Sequence, residues 1–182
     1  ANSISPSASG IPAKNIVYLN DVLRDFEAVL RPQLETSRST LLIPNIDNTL
    51  VIIGDQDELV GALSNLAMNA LEAIDGETQL ELWVGALNND WLQIRFRDNG
   101  PGIPEDILDR LFDPFFTTRA RGTGLGLAVV AMTVSNHGGE ISARNRTQGG
   151  AEFVIDLPIM KPAATGHDEP ISMAVPGDSI HE

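Results

Sequence analysis

The stretch NLAMNALEA, residues 65–73, sets two asparagines four apart on an otherwise apolar segment. Residues four apart lie one above the other on a helix. Leu59, Leu63, Leu66, Ala70 and Ile74 recur at spacings of four, three, four and four, the stripe of a core-facing helix. Asn65 and Asn69 fall to one side of that stripe, with Glu58 and Glu72 on the same flank. A buried amide without a partner costs about 1–3 kcal/mol, so these side chains need company. They either bridge neighbouring backbone or receive a polar ligand, and the rest of the chain must decide.

Bulk properties narrow the ligand. The chain has 182 residues, enough for one domain with a core plus tails. Lys and Arg number 12 against 25 Asp and Glu, a net charge of −13. That balance argues against nucleic acid and against an anionic membrane surface. An anionic ligand must therefore be held locally, by a metal ion, a few arginines or helix N-termini. There is no cysteine, which excludes disulfides, thiolate chemistry and Cys-based metal sites, and three scattered histidines do not make a zinc site. No apolar run approaches the roughly 20 residues of a membrane span. The opening ANSISPSASGIP lacks the apolar middle of a signal peptide. The expected setting is cytoplasmic, without direct membrane contact by this chain, as a piece of a longer protein.

Residues 1–14 are rich in Ser, Pro and Ala and read as linker. Residues 17–37 have helical spacing through Val22, Phe26, Val29, Leu30 and Leu34, with an expected interruption at Pro32. TLLIPNI and TLVIIG are short β-rich runs separated by the turn-like Asp47-Asn48. Asp55 suits the N-cap of the Asn-bearing helix, and Asp75-Gly76 ends it. TQLELWVGAL and WLQIRFR alternate apolar and polar residues across Asn88-Asn89-Asp90, the pattern of a hairpin. A short helix is expected within 104–123, a longer one from Gly124 to Asn136, and two final strands around the turn TQGG. Past Pro158 the period disappears, and 161–182 read as a tail. The order α-β-β-α-β-β-loop-α-β-β predicts an α+β fold, a two-layer α/β sandwich with helices on one face of a mixed sheet.

Three further segments carry chemistry. DNGPGIP, residues 98–104, ends a strand. Gly100 and Gly102 there allow positive φ and close backbone approach to a flat ligand. Asp98 at that corner either closes an Asx turn or accepts from an amino group such as the exocyclic amine of a base. GTGLGL, residues 122–127, leads into a helix whose N-terminal N–H groups and dipole favour an anion. It matches neither G-x-G-x-x-G nor G-x-x-x-x-G-K-[ST]. Arg119 and Arg121 precede it, as phosphate partners or as solvated loop charges. DPFFTT, residues 113–118, puts two phenylalanines in a loop that its aromatics anchor and that is able to act as a lid.

In order and spacing, Asn65…Asn69, DNGPGIP, LFDPFFTT and GTGLGL resemble the N, G1, F and G2 boxes of sensor histidine kinases. The wording is most similar to the nitrogen-sensor and hybrid groups. These kinases share the Bergerat ATP-binding fold with Hsp90-type chaperones, type II topoisomerases and mismatch-repair ATPases. The resemblance spans about Val17 to Pro158 and implies a catalytic domain over 15–160 that takes ATP and Mg²⁺. It implies that Asn69 is the Mg²⁺ ligand and that Asp98 binds the adenine amino group. Asn65 stands where hydrolysing relatives carry a water-activating Glu; an amide cannot take that proton, which fits transfer to a protein side chain. Asn65, Asn69 and Arg119 are then the catalytic candidates. Nucleotide contacts are implied for Asn69, Asp98, Gly100, Gly102 and Ile103, and for the lid residues Thr118, Arg119, Arg121, Gly122, Thr123, Gly124, Leu125, Gly126 and Leu127. Two positions depart from the pattern: Glu72 replaces a common Lys, and Ala151 a common Thr. His137, in NHGGE, lacks the context of an acceptor histidine and reads as structural, and His167 and His181 lie in the tail. The implied partners are a histidine-bearing dimerisation domain outside this chain and a response regulator receiver domain. The isolated domain is expected to be a monomer. A rival reading is a catalytically silent nucleotide-binding regulatory module of the same fold.

Overall fold

The computed structural model describes residues 15–46, 49–116 and 124–160. The linker and tail assignments, the Asp47-Asn48 turn and the lid residues 117–123 lie outside the described residues. The elements run β1 (Asn15–Tyr18), α1 (Leu19–Ser37), β2 (Thr40–Leu42), β3 (Val51–Gly54), α2 (Gln56–Ala73), β4 (Gln79–Ala86), β5 (Trp91–Arg97), a 3-10 turn (Glu105–Arg110), α3 (Gly126–Asn136), β6 (Glu140–Asn145) and β7 (Ala151–Pro158).

The main sheet has five strands in the order β2-β4-β5-β7-β6. Its β2–β4 pair is parallel and its other pairs are antiparallel, so the sheet is mixed as expected. Leu80, Leu82, Leu92, Ile94, Phe96, Ile155 and Leu157 point from it into one core with Val22, Phe26 and Leu30 of α1, Leu59, Leu63 and Leu66 of α2, and Val130 and Val134 of α3. The opposite face carries a row of charge across four strands. Glu81 and Arg97 lie 3.6 Å apart, Arg97 Nε donates to Glu152 Oε1 at 2.7 Å, and Arg144 holds the other carboxylate oxygen.

Three expectations change. The first element is β1, not the start of a helix: Val17 pairs with Ile52 in a separate two-stranded sheet with β3. That long-range pairing overrides the local helical spacing, and Val29 of α1 is exposed. The runs TLLIPNI and TLVIIG accordingly enter different sheets. Helix α1 also continues through Pro32 to Ser37. Proline removes the donor to the carbonyl of Ala28, but Ala28 is exposed and water can serve it.

Helix α2 begins as the sequence predicts. Asp55 is extended and its side chain accepts from Glu58 N at 3.0 Å, while Asp57 and Glu58 sit in the positive first turn. His137, just past α3, ties the two helices together. Its Nε2 accepts from Asp55 N at 2.9 Å, and its Nδ1 donates to Thr133 O at 2.7 Å. A Cβ on Gly54 would lie 2.1 Å from the ring, so the site admits only glycine there.

Candidate nucleotide-binding site

A cavity of about 720 Å³ opens between α2, the loop after β5, the 3-10 turn and the start of α3. That volume suits a nucleotide-sized ligand. Asn65, Asn69, Asp98, Gly102, Ile103, Gly124, Gly126 and Leu127 line it, so eight predicted residues converge on one site. Glu72 also lines it, whereas Glu58 does not. Thr118, Arg119, Arg121, Gly122 and Thr123 fall outside the described residues. Leu125 and Gly100 are described but are not part of the lining.

Asp98 directly follows β5 and is buried. Its Oδ1 accepts from Gly100 N at 2.8 Å and from Ala151 N at 3.2 Å. It therefore does close an Asx turn, and it is also fastened to β7. Among the described residues Oδ2 takes no hydrogen bond, which leaves an acceptor at the cavity wall. Gly100 does not adopt positive φ. Its lack of a side chain serves packing instead: a Cβ would meet Asp98 Oδ1 and Ile74 Cγ1, each at 2.9 Å. Gly102 does adopt positive φ, at +81°.

At the other end, Asn65 and Asn69 are half-buried, one turn apart on α2. A Cβ on Gly126 would stand 3.6 Å from Asn69 Nδ2, so the Asn69 amide abuts the first turn of α3. Among the described residues no side chain caps that terminus, and no acidic residue occupies its first turn. The first-turn N–H groups and the positive end of the dipole therefore lie at the same end of the cavity as Asn69. An oxygen-ligand amide beside an anion-accepting helix end fits a phosphate with its Mg²⁺.

The loop aromatics divide differently from expectation. The Phe115 side chain is 76% exposed. Phe116 lines the cavity under the Arg110 guanidinium, 4.7 Å from the ring centre. The anchor is Phe112, edge-on to Phe153 with ring centres 6.4 Å apart. Phe115 N donates to Gly124 O at 3.0 Å, which brings together the two described ends of the lid segment.

The TQGG turn between β6 and β7 is legible in the sequence, but its part in the site is not. Arg146 Nη1 donates to Asp98 O at 3.0 Å, and the Asn145 amide bonds both N and O of Ile103 at 2.7 Å each. Gly150 is pressed against Asp98 O. The paired glycines of TQGG were the available signal, for a turn but not for what it touches.

A mixed sheet covered by helices on one face, with a carboxylate at one end of the cavity and Asn69 of α2 against the start of α3 at the other, defines a nucleotide-binding domain of the ATPase class. Residues 54–161 match the family described as histidine kinase-, DNA gyrase B- and HSP90-like ATPases, and the chain belongs to that family. It is 34% identical over 144 residues to the sensor histidine kinase ZraS of Salmonella typhimurium, covering 79% of this chain and 31% of that protein. It is 34% identical over 153 residues to the sensor histidine kinase TmoS of Ectopseudomonas mendocina, covering 81% of this chain and 16% of that one. This chain thus spans less than a third of these relatives. Among solved structures it is similar to the catalytic domain of histidine kinase ThkA, with a TM-score of 0.72, 26% identity, and 80% and 95% of the two chains covered. The ATP-binding domain of PrrB from Mycobacterium tuberculosis gives a TM-score of 0.64 at 27% identity, with 82% and 100% covered. The domain binds ATP, and its fold is that of histidine kinase catalytic domains. Among the described residues no helix is long and apolar enough to cross a membrane.

Proposed function

We propose that residues 15–160 are the ATP-binding catalytic domain of a two-component sensor histidine kinase, and that 1–14 and 161–182 are connecting segments. The domain transfers the γ-phosphoryl group of ATP to a histidine on a dimerisation domain absent from this chain. From there the group passes to a receiver domain. The observation that carries this reading is the cavity itself, with buried Asp98 at one end and Asn69 against the start of α3 at the other.

Asp98 Oδ2 accepts from the adenine amino group, while Ile74, Ile103 and Phe153 supply apolar surface around the base. The first turn of α3 receives the phosphates, and Asn69 offers its amide oxygen to Mg²⁺. Bound there, Mg²⁺ neutralises charge on the phosphate oxygens, which the net charge of −13 otherwise opposes. Asn65 has no basic oxygen to activate water, so the γ-phosphoryl group is held for a protein nucleophile. In the transfer the γ-phosphorus–oxygen bond to ADP breaks, a bond to an imidazole nitrogen forms, and the imidazole proton leaves to solvent. Arg119 and Arg121 are assigned to the γ-phosphate by resemblance. The parent protein places this domain in the cytoplasm, and the isolated domain is a monomer.

The test mixes this chain with a separately made histidine-bearing dimerisation domain and γ-labelled ATP. Acid-labile label on the histidine domain, lost with Asn69→Ala and Asp98→Asn, is the expected result. Tight ATP binding without any label would instead favour the silent regulatory module.

A further inference from the structure

We propose that Asn145 and Arg146 form a clamp that sets the base end of the cavity and thereby its preference for adenine; this rests on the nucleotide reading above. The loop Asp98–Ile103 carries the base-reading carboxylate and three residues of the cavity wall, Pro101, Gly102 and Ile103. Its two ends are held by two neighbours at the end of β6. Arg146 Nη1 donates to Asp98 O at 3.0 Å. Asn145 Nδ2 donates to Ile103 O at 2.7 Å, and Asn145 Oδ1 accepts from Ile103 N at 2.7 Å. A side-chain amide offering both a donor and an acceptor to one residue imitates a neighbouring strand, which a carboxylate or an apolar side chain cannot do.

Gly102 and Asn145 are fitted to one another. A Cβ on Gly102 would stand 2.7 Å from Asn145 Oδ1, so the amide occupies the space that the missing side chain leaves. Neither Asn145 nor Arg146 lines the cavity, so both are positioning residues. Their consequence is discrimination. A site built to accept from an exocyclic amine rejects a base that presents a carbonyl there, because two acceptors then face each other. That rejection holds only while the Asp98 carboxylate is fixed. A loosened loop lets it turn away, and base preference falls before phosphate affinity does. Asn145 is exposed, so water competes for its bonds and the effect is moderate.

The experiment is calorimetric titration of the 182-residue chain with non-hydrolysable ATP and GTP analogues and Mg²⁺. The variants are Asn145→Ala, Asn145→Asp, Arg146→Ala, Asp98→Asn, and Leu34→Ala as a destabilised control on α1 outside the cavity lining. Asn145→Ala is expected to weaken the ATP analogue about fivefold and to narrow the ATP-to-GTP ratio to a similar degree. Asn145→Asp, which keeps only the acceptor, behaves the same way, and Arg146→Ala narrows the ratio too. Leu34→Ala lowers the melting temperature and leaves the ratio alone. An unchanged ratio in the Asn145 and Arg146 variants, or a change in Leu34→Ala of equal size, overturns the clamp. If Asp98→Asn abolishes binding while those variants bind normally, the clamp fails and the nucleotide reading stands. If the unmodified chain binds neither analogue, both fall together.

Discussion

Gly150 lies so close to Asp98 that a Cβ on it would stand 1.9 Å from the Asp98 carbonyl oxygen. Around that contact Asp98 N donates to Ala151 O at 3.1 Å and Ala151 N returns to Asp98 Oδ1 at 3.2 Å. The Asp98 carboxylate is therefore seated on the first residue of β7, and the seat exists because residue 150 has no side chain.

Gly150→Ala adds a clash with main chain to an unfavourable φ of +84°. Overpacking of this kind and positive φ together cost about 3 kcal/mol or more. Gly149→Ala is the comparison, since its φ is +91° but a Cβ there meets nothing within 4 Å. It should cost only about 1–2 kcal/mol. Urea denaturation of the two variants measures the difference, and equal losses would show that the contact with Asp98 carries no energy.

His137 joins Asp55 N to Thr133 O from a position only 6% exposed. Replacing it with Ala strands a buried donor and a buried acceptor and leaves a cavity, for a loss of about 2–4 kcal/mol. Affinity for the ATP analogue is expected to stay within about twofold, because the cavity wall is untouched. Label from γ-labelled ATP should never appear on this residue. Transfer abolished in a His137→Ala variant of normal stability would contradict the structural role.

Acid stability should report on Glu152. Burial alone pushes its carboxyl up, but the hydrogen bonds from Arg97 and then Arg144, with the charges of both, outweigh this and hold it below its ordinary 4.5. A depressed value in the folded state means the stabilisation is complete above the unfolded-state value. It is lost as pH falls through the lower folded value. The unmodified chain should therefore lose stability below about pH 4.5 more steeply than Glu152→Gln, measured by denaturation midpoints from pH 7 to pH 3. Parallel curves for the two proteins would rule out this source of acid sensitivity.

What the sequence disclosed follows from the range over which each feature is encoded. The hairpin β4–β5 and helix α2 are written in local periods, and Leu59, Leu63, Leu66 and Ala70 are buried as their spacing demands. Strand β1 was missed because Val17 is held by Ile52, far along the chain, while its local spacing still suits a helix. In the site, Asn69, Asp98 and Gly126 were legible because glycine and polar residues interrupt apolar patterns there. Asn145 and Arg146 were not, since their partners lie 42 and 48 residues away and nothing in ARNRTQGG marks the contact.

Glu72 offers the last prediction. It lines the cavity three residues beyond Asn69, where the family often carries a lysine, and so adds negative charge near the end proposed to take the phosphates. A unit charge a few ångströms from a phosphate across partly solvated space is worth about 1 kcal/mol, or about fivefold in affinity. Glu72→Gln should accordingly tighten binding of the Mg²⁺-free ATP analogue by about fivefold at low salt. The gain should shrink as salt rises, because the Debye length falls to about 3 Å at 1 M. With Mg²⁺ present the two proteins should converge, since the metal already offsets the repulsion. Weaker binding by Glu72→Gln only when Mg²⁺ is present would reverse the interpretation. The carboxylate would then share with Asn69 in holding the cation, and the departure from lysine would be a second metal ligand rather than a cost.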